Sequence, residues 1–90
     1  MNTYQLTVIE RELAELMIDV LLLEMEPDQI DPNAALFRDG LGLDSIDALE
    51  LAVQLKKKYE IVINVEDEET RRIFATLRNL AGYVQGSRQQ

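Results

Sequence analysis

The serine at position 45 lies between acidic residues, in the string Asp44-Ser45-Ile46-Asp47, shortly after Gly42. A serine hydroxyl at the start of a helix is exposed, and another enzyme can reach it. The same string is also typical of a helix start where the serine only caps backbone N–H groups. The bare string favours the capping interpretation and leaves a chemical role for Ser45 open.

The chain contains neither histidine nor cysteine. Catalysis by Ser–His or Cys–His pairs is therefore excluded, because no imidazole can act as the base. Disulfides and thiolate–metal sites are excluded as well. If Ser45 has a chemical role, we therefore expect it to be a substrate of another enzyme and not a catalyst, and we expect the chain itself not to be an enzyme. Any thiol chemistry requires a thiol brought from outside.

The charge of the chain is strongly acidic. Its 90 residues include 17 acidic and 9 basic side chains, which gives a formal net charge of −8. Such a surface repels nucleic acids and anionic membranes and attracts basic proteins. Met1 to Glu10 lacks the features of a signal peptide, and the apolar cluster Met17 to Leu23 is too short to span a bilayer. We expect a cytoplasmic monomer that binds no nucleic acid and does not insert stably into membranes.

Apolar residues at steps of three and four predict an all-α fold, a bundle of three main helices and one short third helix. The helices are expected over Tyr4 to Met25, Ser45 to Tyr59, Glu66 to Phe74, and from a cap at Thr76 to about Gln85. Pro27 should end the first helix, because proline disfavours the α conformation of the residue before it. We expect one domain over residues 1–86 and a frayed polar tail over 87–90.

The first loop is long, running from Pro27 to Asp44. Its regularly placed apolar residues favour an ordered loop that packs on the core. Ala34 to Phe37 is expected to form a short turn of helix that places Leu36 and Phe37 in the core. Ile61 to Val65 is rich in β-branched residues but has no partner strand, so we expect an extended linker.

The second helix has two apolar faces on a helical wheel. The core face consists of Ala48, Leu51, Ala52, Leu55 and Tyr59, and the opposite face consists of Ile46, Leu49 and Val53 with Glu50 beside them. One apolar face is enough for a core. The other is either covered by the long loop, simply exposed, or used to dock a partner within a ring of acidic residues. The wheel alone does not decide between these alternatives. Either Asp44 or Ser45 can cap this helix.

The wider context of Ser45 carries a family resemblance. Gly42-Leu43-Asp44-Ser45-Ile46 opens the second helix, with Phe37 and Gly40-Leu41 upstream. Glu50-Leu51, Leu55 and Tyr59 follow at helical spacing. This constellation resembles the acyl carrier protein family, the phosphopantetheine-binding carriers, over essentially the whole chain. The family's four-helix bundle with a long first loop agrees with the helices expected above.

The resemblance implies a function and a set of site residues. It implies that Ser45 receives 4'-phosphopantetheine from coenzyme A through a separate phosphopantetheinyl transferase. Acyl intermediates would then be carried as thioesters and presented to enzymes of fatty acid, polyketide-like or related lipid biosynthesis. The partners implied are ketosynthases and acyl-activating and acyl-transfer enzymes. The face that such partners read is implied to consist of Asp44, Ile46, Asp47, Leu49, Glu50 and Val53.

The sequence departs from the family at the end of the second helix, where Lys56-Lys57-Lys58 replaces the acidic residues of many members. We therefore expect a member of a specialised pathway with dedicated synthases. The Gly40-Leu41-Gly42-Leu43 segment points the same way. A D-alanyl or peptidyl carrier and a cofactor-free helical interaction module are the alternatives.

Two other kinds of site fit the sequence poorly. A calcium loop starting at Asp39 would place Leu41 and Leu43 at ligand positions and Asp44 where glycine is required, so we expect no metal site. A hydrolase that uses only carboxylates would need a pocket, and a four-helix core leaves little chain to build one.

Overall fold

The computed structural model describes residues 3–37, 42–63 and 68–88, with the side chain of residue 88 excluded. Its α-helices are α1 (Val8–Leu21), α2 (Ser45–Tyr59), α3 (Glu68–Ile73) and α4 (Leu77–Arg88), and a 3₁₀ turn covers Pro27–Gln29. Within these ranges the only β-type pairings are isolated bridges. The predicted all-α bundle with a short third helix is confirmed.

Helix α1 begins later than the sequence analysis placed it. Thr7 is the N-cap: its hydroxyl accepts from the Glu10 N–H, and Glu10 Oε1 accepts from the Thr7 N–H. This reciprocal pair is a capping box, which fixes the start of a helix. Residues 4–7 are therefore outside the helix, and the Tyr4 N–H instead donates to the Asp28 carbonyl at 2.7 Å.

The predicted C-terminal end of α1, at Met25, was also wrong. The helix ends at Leu21, and Leu22 adopts a left-handed conformation with φ 55° while its N–H donates to the Ile18 carbonyl. Pro27 sets only the latest possible end of a helix. The chain turns earlier because Leu23 and Met25 pack against the core from outside the helix.

Helix α2 has the predicted bounds, and the later helices differ from prediction at their ends. Helix α3 starts at Glu68 and ends at Ile73, and residues 64–67 lie outside the described ranges. Thr76 accepts from the Asn79 N–H at 3.0 Å, as predicted for the cap of α4. Helix α4 then crosses the boundary expected at residue 86 and runs to Arg88. Residues 87 and 88 are thus helical, and 89 and 90 are outside the described residues. The division into a domain over 1–86 and a frayed tail over 87–90 stays a prediction.

The described part of the long loop is packed, as predicted, but Ala34 to Phe37 is not a turn of helix. Ala35 forms an isolated β-bridge with Thr76, and the Leu36 N–H donates to the Ala75 carbonyl at 3.0 Å, just before α4. Leu36 is buried, and the ring of Phe37 meets the ring of Phe74 edge to face, with centroids 6.4 Å apart. Residues 61–63 of the expected linker are neither helix nor strand, and residues 64 and 65 lie outside the described ranges.

The core is aliphatic and lies between α1, α2 and α4. Helix α1 packs on both α2 and α4, and α3 packs on α4. The large side chains that are fully buried in the core are Leu13, Met17, Ile30, Leu36, Leu51, Leu55, Phe74, Leu77, Leu80 and Val84. The buried face of α2 therefore orients that helix, which leaves its opposite face turned outward.

A buried acid ties α1 to α4. Glu10 is only 3% exposed, and its Oε2 accepts from Arg78 Nε at 3.3 Å. Its other oxygen completes the capping box at Thr7. A buried carboxylate is stable only when it is paired and hydrogen-bonded. Glu10 therefore fixes the start of α1 and its position relative to α4.

We predict that Glu10→Ala destabilises the fold by about 1–3 kcal/mol, because it removes both the capping bond and the ion pair. Thermal unfolding of the variant measures this. Glu15→Ala is the matched control, since Glu15 is exposed on the same helix, and it should change stability by no more than about 0.5 kcal/mol. Equal effects of the two substitutions would contradict this role of Glu10.

Candidate functional site

Asp44 is the residue that caps α2. Its Oδ1 accepts from the N–H groups of Ile46 and Asp47, both at 3.0 Å. Asp47 Oδ2 in turn accepts from the Asp44 N–H at 3.0 Å. These three bonds satisfy backbone donors that a helix start otherwise leaves exposed. The start of α2 is therefore fixed without help from the side chain of Ser45.

Ser45 is the first residue of α2, and its side chain is exposed. Among the described residues its hydroxyl has no hydrogen-bond partner, because Asp44 has taken the capping role. The interpretation of Ser45 as a plain capping serine is therefore wrong. What the fold presents is an accessible primary alcohol on a rigid helix end.

The residues before Asp44 position that helix end on the core. Gly42 has φ 75°, a left-handed conformation in which a side chain would be strained. The turn directs Leu43 inward, where it is buried and its N–H donates to the Leu36 carbonyl at 3.2 Å. Asp44 and Ser45 follow directly. Their position thus depends on Leu43 being anchored in the core.

An open cleft of about 730 Å³ adjoins Ser45. The described residues that line it are Ala35, Phe37, Leu43, Asp44, Ser45, Ala48, Thr70, Arg71, Phe74 and Ala75. Most of the lining is apolar, and its polar residues are Asp44, Ser45, Thr70 and Arg71. A flexible group attached to Ser45 would therefore find an apolar wall beside it.

The outer apolar face of α2 is exposed, as it must be if it is to dock a partner. Ile46 is 67% exposed, Leu49 50% and Val53 45%, so the described part of the loop does not cover them. Glu50 is exposed beside them, and Asp47 is half-buried in the capping box. The three apolar residues form what we call the α2 strip: Ile46, Leu49 and Val53. Together with Asp44, Asp47 and Glu50, this strip places an acidic, partly apolar surface next to Ser45.

Sequence reasoning missed the part of the site that comes from α3. The cleft is lined by Thr70 and Arg71 of α3 and by Phe74 just after that helix, all at least 25 positions beyond Ser45 in the chain. No local pattern marks them, because only the packing of α3 brings them to the cleft. Lys56 to Lys58, in contrast, lie in the last turn of α2, about 17–20 Å from its start at 1.5 Å per residue.

Within the described ranges, no group of three or more acidic side chains is arranged to hold a metal ion. None of the helices described is both long and apolar enough to cross a bilayer.

Comparison with known proteins identifies the kind of site. Residues 11–84 match the family model described as "Phosphopantetheine attachment site". An acyl carrier protein of Chlorobium phaeobacteroides is 36% identical over 77 residues, which cover 83% of this chain and 94% of that protein. Acyl carrier proteins of Chlorobium phaeovibrioides and Chlorobium luteolum are each 36% identical over 62 residues, covering 67% of this chain and 78% of theirs. The chain therefore belongs to the phosphopantetheine-binding acyl carrier protein family.

Membership of this family confirms the predicted cofactor, covalently attached 4'-phosphopantetheine. The residues at the start of α2 fit this group. Ser45 offers an unpartnered, exposed hydroxyl for a phosphodiester bond, and the helix N-terminus favours a nearby negative charge. The cleft offers apolar surface to the rest of the arm.

Asp44 caps α2 and Ser45 does not, so we predict that substitutions at the two positions have different effects on stability. Asp44→Ala should destabilise the fold by about 1 kcal/mol because α2 loses its cap, whereas Asp44→Asn should restore most of that loss. Ser45→Ala should change stability by no more than about 0.5 kcal/mol, because its hydroxyl supports no bond. Chemical denaturation of the apo protein measures all three. A large loss from Ser45→Ala would show that Ser45 caps the helix after all.

Proposed function

We propose that this protein carries acyl groups as thioesters on a 4'-phosphopantetheine arm attached to Ser45, and presents them to biosynthetic enzymes. The observation that carries the proposal is the hydroxyl of Ser45, which is exposed and makes no hydrogen bond with the described residues, because Asp44 caps the helix. The family match and the names of the relatives support the same function.

The composition fits the chemistry of such a carrier. In the attachment step, Ser45 Oγ forms a bond to the phosphorus of coenzyme A that bears the pantetheine. The bond to the remaining 3',5'-ADP breaks, and the serine proton passes to a base. The chain has no histidine to act as that base, and we propose that the transferase supplies it, as the family resemblance implies. The chain also has no cysteine, so the thiol that holds the cargo comes with the arm.

The α2 strip is proposed as the surface that partner enzymes read. Its exposed apolar residues offer area to bury, and the carboxylates of Asp44 and Glu50 attract a basic partner before contact. Since Lys and Arg are absent from residues 45–55, no cation interrupts this surface within the helix. The partners proposed are the phosphopantetheinyl transferase, ketosynthases and acyl-activating and acyl-transfer enzymes.

Other parts of the interpretation remain predictions. The curated relatives are named as carriers, and we propose that this chain likewise catalyses no reaction of its own. A monomeric state and a cytoplasmic location stay predictions. A specialised pathway is also a prediction. It rests on three exposed lysines at the far end of α2, Lys56, Lys57 and Lys58. These lysines suit a partner that has acidic residues at that distance from its active site. Lys58 also lies over the Tyr59 ring, 5.5 Å from its centroid.

Incubation with coenzyme A, Mg²⁺ and a broad-specificity phosphopantetheinyl transferase should add the mass of one arm, measured on the intact protein. Ser45→Ala should abolish the gain because no acceptor hydroxyl remains at the helix start. Ser87→Ala is the matched control, since Ser87 is the other serine of the chain, and it should be loaded normally. A folded wild type that gains no mass would contradict the carrier function and favour a cofactor-free interaction module.

The α2 strip is tested with a pair of valines. Val53→Glu should lower the transferase loading rate about tenfold, the effect of losing roughly 1.4 kcal/mol at an interface. Val62→Glu makes the same substitution at a site that is 73% exposed and outside α2, and should have little effect. Circular dichroism establishes that both variants are folded. Equal loading rates for the two variants would mean that the strip is not read by this enzyme.

A further inference from the structure

Arg71 is the basic residue among those that line the cleft beside Ser45. It lies on α3, and its side chain is exposed. In the described part of the chain its guanidinium makes neither an ion pair nor a hydrogen bond, although Asp44 lines the same cleft. The fold thus places a cation that has no partner among the described residues in the same cleft as Ser45.

The charges around Ser45 give that cation a function. A phosphodiester on Ser45 adds one permanent negative charge near the carboxylates of Asp44, the cap of α2, and Asp47, in its first turn. The backbone dipole at the helix start offsets part of this repulsion. An arginine can offset more, because its planar guanidinium donates two parallel hydrogen bonds to phosphate oxygens.

Resting on the function proposed above, we propose that Arg71 binds the phosphodiester of the prosthetic arm and so positions the arm along the apolar cleft. The ligand class is a phosphodiester covalently held on Ser45. Arg71 acts as a positioning residue: it fixes the base of the arm and leaves the thiol end to move. Binding by this cation also gives the arm a direction, toward α3 and the wall formed by Phe37 and Phe74.

Arg72 provides a matched control within the same helix. It is also exposed and basic, but it does not line the cleft. Its backbone carbonyl accepts from Asn79 Nδ2, and its guanidinium makes no ion pair with the described residues. Replacing either arginine by glutamine therefore removes one positive charge from α3. Any difference between the two variants reports position and not net charge.

The experiment compares apo and holo forms by NMR, after intact mass has shown that each holo sample carries one arm. In the wild type, the Nε–Hε resonance of Arg71 should shift on loading several times more than that of Arg72. The shift should shrink between about 10 mM and 1 M salt, as the Debye length falls from about 30 to 3 Å. Arg71→Gln should shift the ³¹P resonance of the arm, Arg71→Lys should shift it less, and Arg72→Gln should leave it in place.

The outcomes separate this inference from the function on which it rests. A chain that gains no mass overturns both the carrier function and the role of Arg71. A loaded chain in which Arg71 and Arg72 respond equally, or in which Arg71→Gln leaves the ³¹P resonance unchanged, overturns the role of Arg71 alone. Since Arg71 is exposed and its side chain makes no bond with the described residues, its variants are expected to fold like the wild type.

Discussion

The structure depends on the side chain of Asp44 serving as the cap of α2. A helix start exposes backbone N–H groups that some side chain or solvent must satisfy. Asp44 and Asp47 satisfy them reciprocally, at 3.0 Å in each bond. If Ser45 capped the helix, its hydroxyl would be held in a bond that any modification would break. Because Asp44 caps the helix, the Ser45 hydroxyl makes no bond with the described residues, and we expect the helix to keep its start when Ser45 is modified.

The rest of the fold holds that helix start in place. The buried face of α2 packs on α1, and Leu43 is anchored in the core just before the cap. Helix α1 is in turn positioned by Glu10, which completes its capping box and pairs with Arg78 of α4. The long loop contributes because it is bound to α4 through backbone hydrogen bonds. The result is a helix start held on the core, with the exposed Ser45 next to the α2 strip and to the cleft.

The sequence predicted the features that are local in the chain. Helix α2 and the cap at Thr76 came out as expected, because periodicity and capping residues act over a few positions. The ends of α1 did not, because the Thr7–Glu10 capping box was overlooked and tertiary packing of Leu23 and Met25 ended the helix before Pro27 required it. The cleft beside Ser45 could not be predicted, since packing of α3 brings Arg71 and Phe74 there from a distant part of the chain. The capping role of Asp44 over Ser45 also required coordinates, because both residue types make good caps.

We propose above all that the folded protein offers the Ser45 hydroxyl to another enzyme and holds its cofactor there. Peptide mass mapping of the protein isolated from its native host tests this most directly. We expect the phosphopantetheine mass, with any attached acyl group, on the peptide that contains Ser45 and nowhere else. A fully expressed native protein whose Ser45 peptide is unmodified would contradict it.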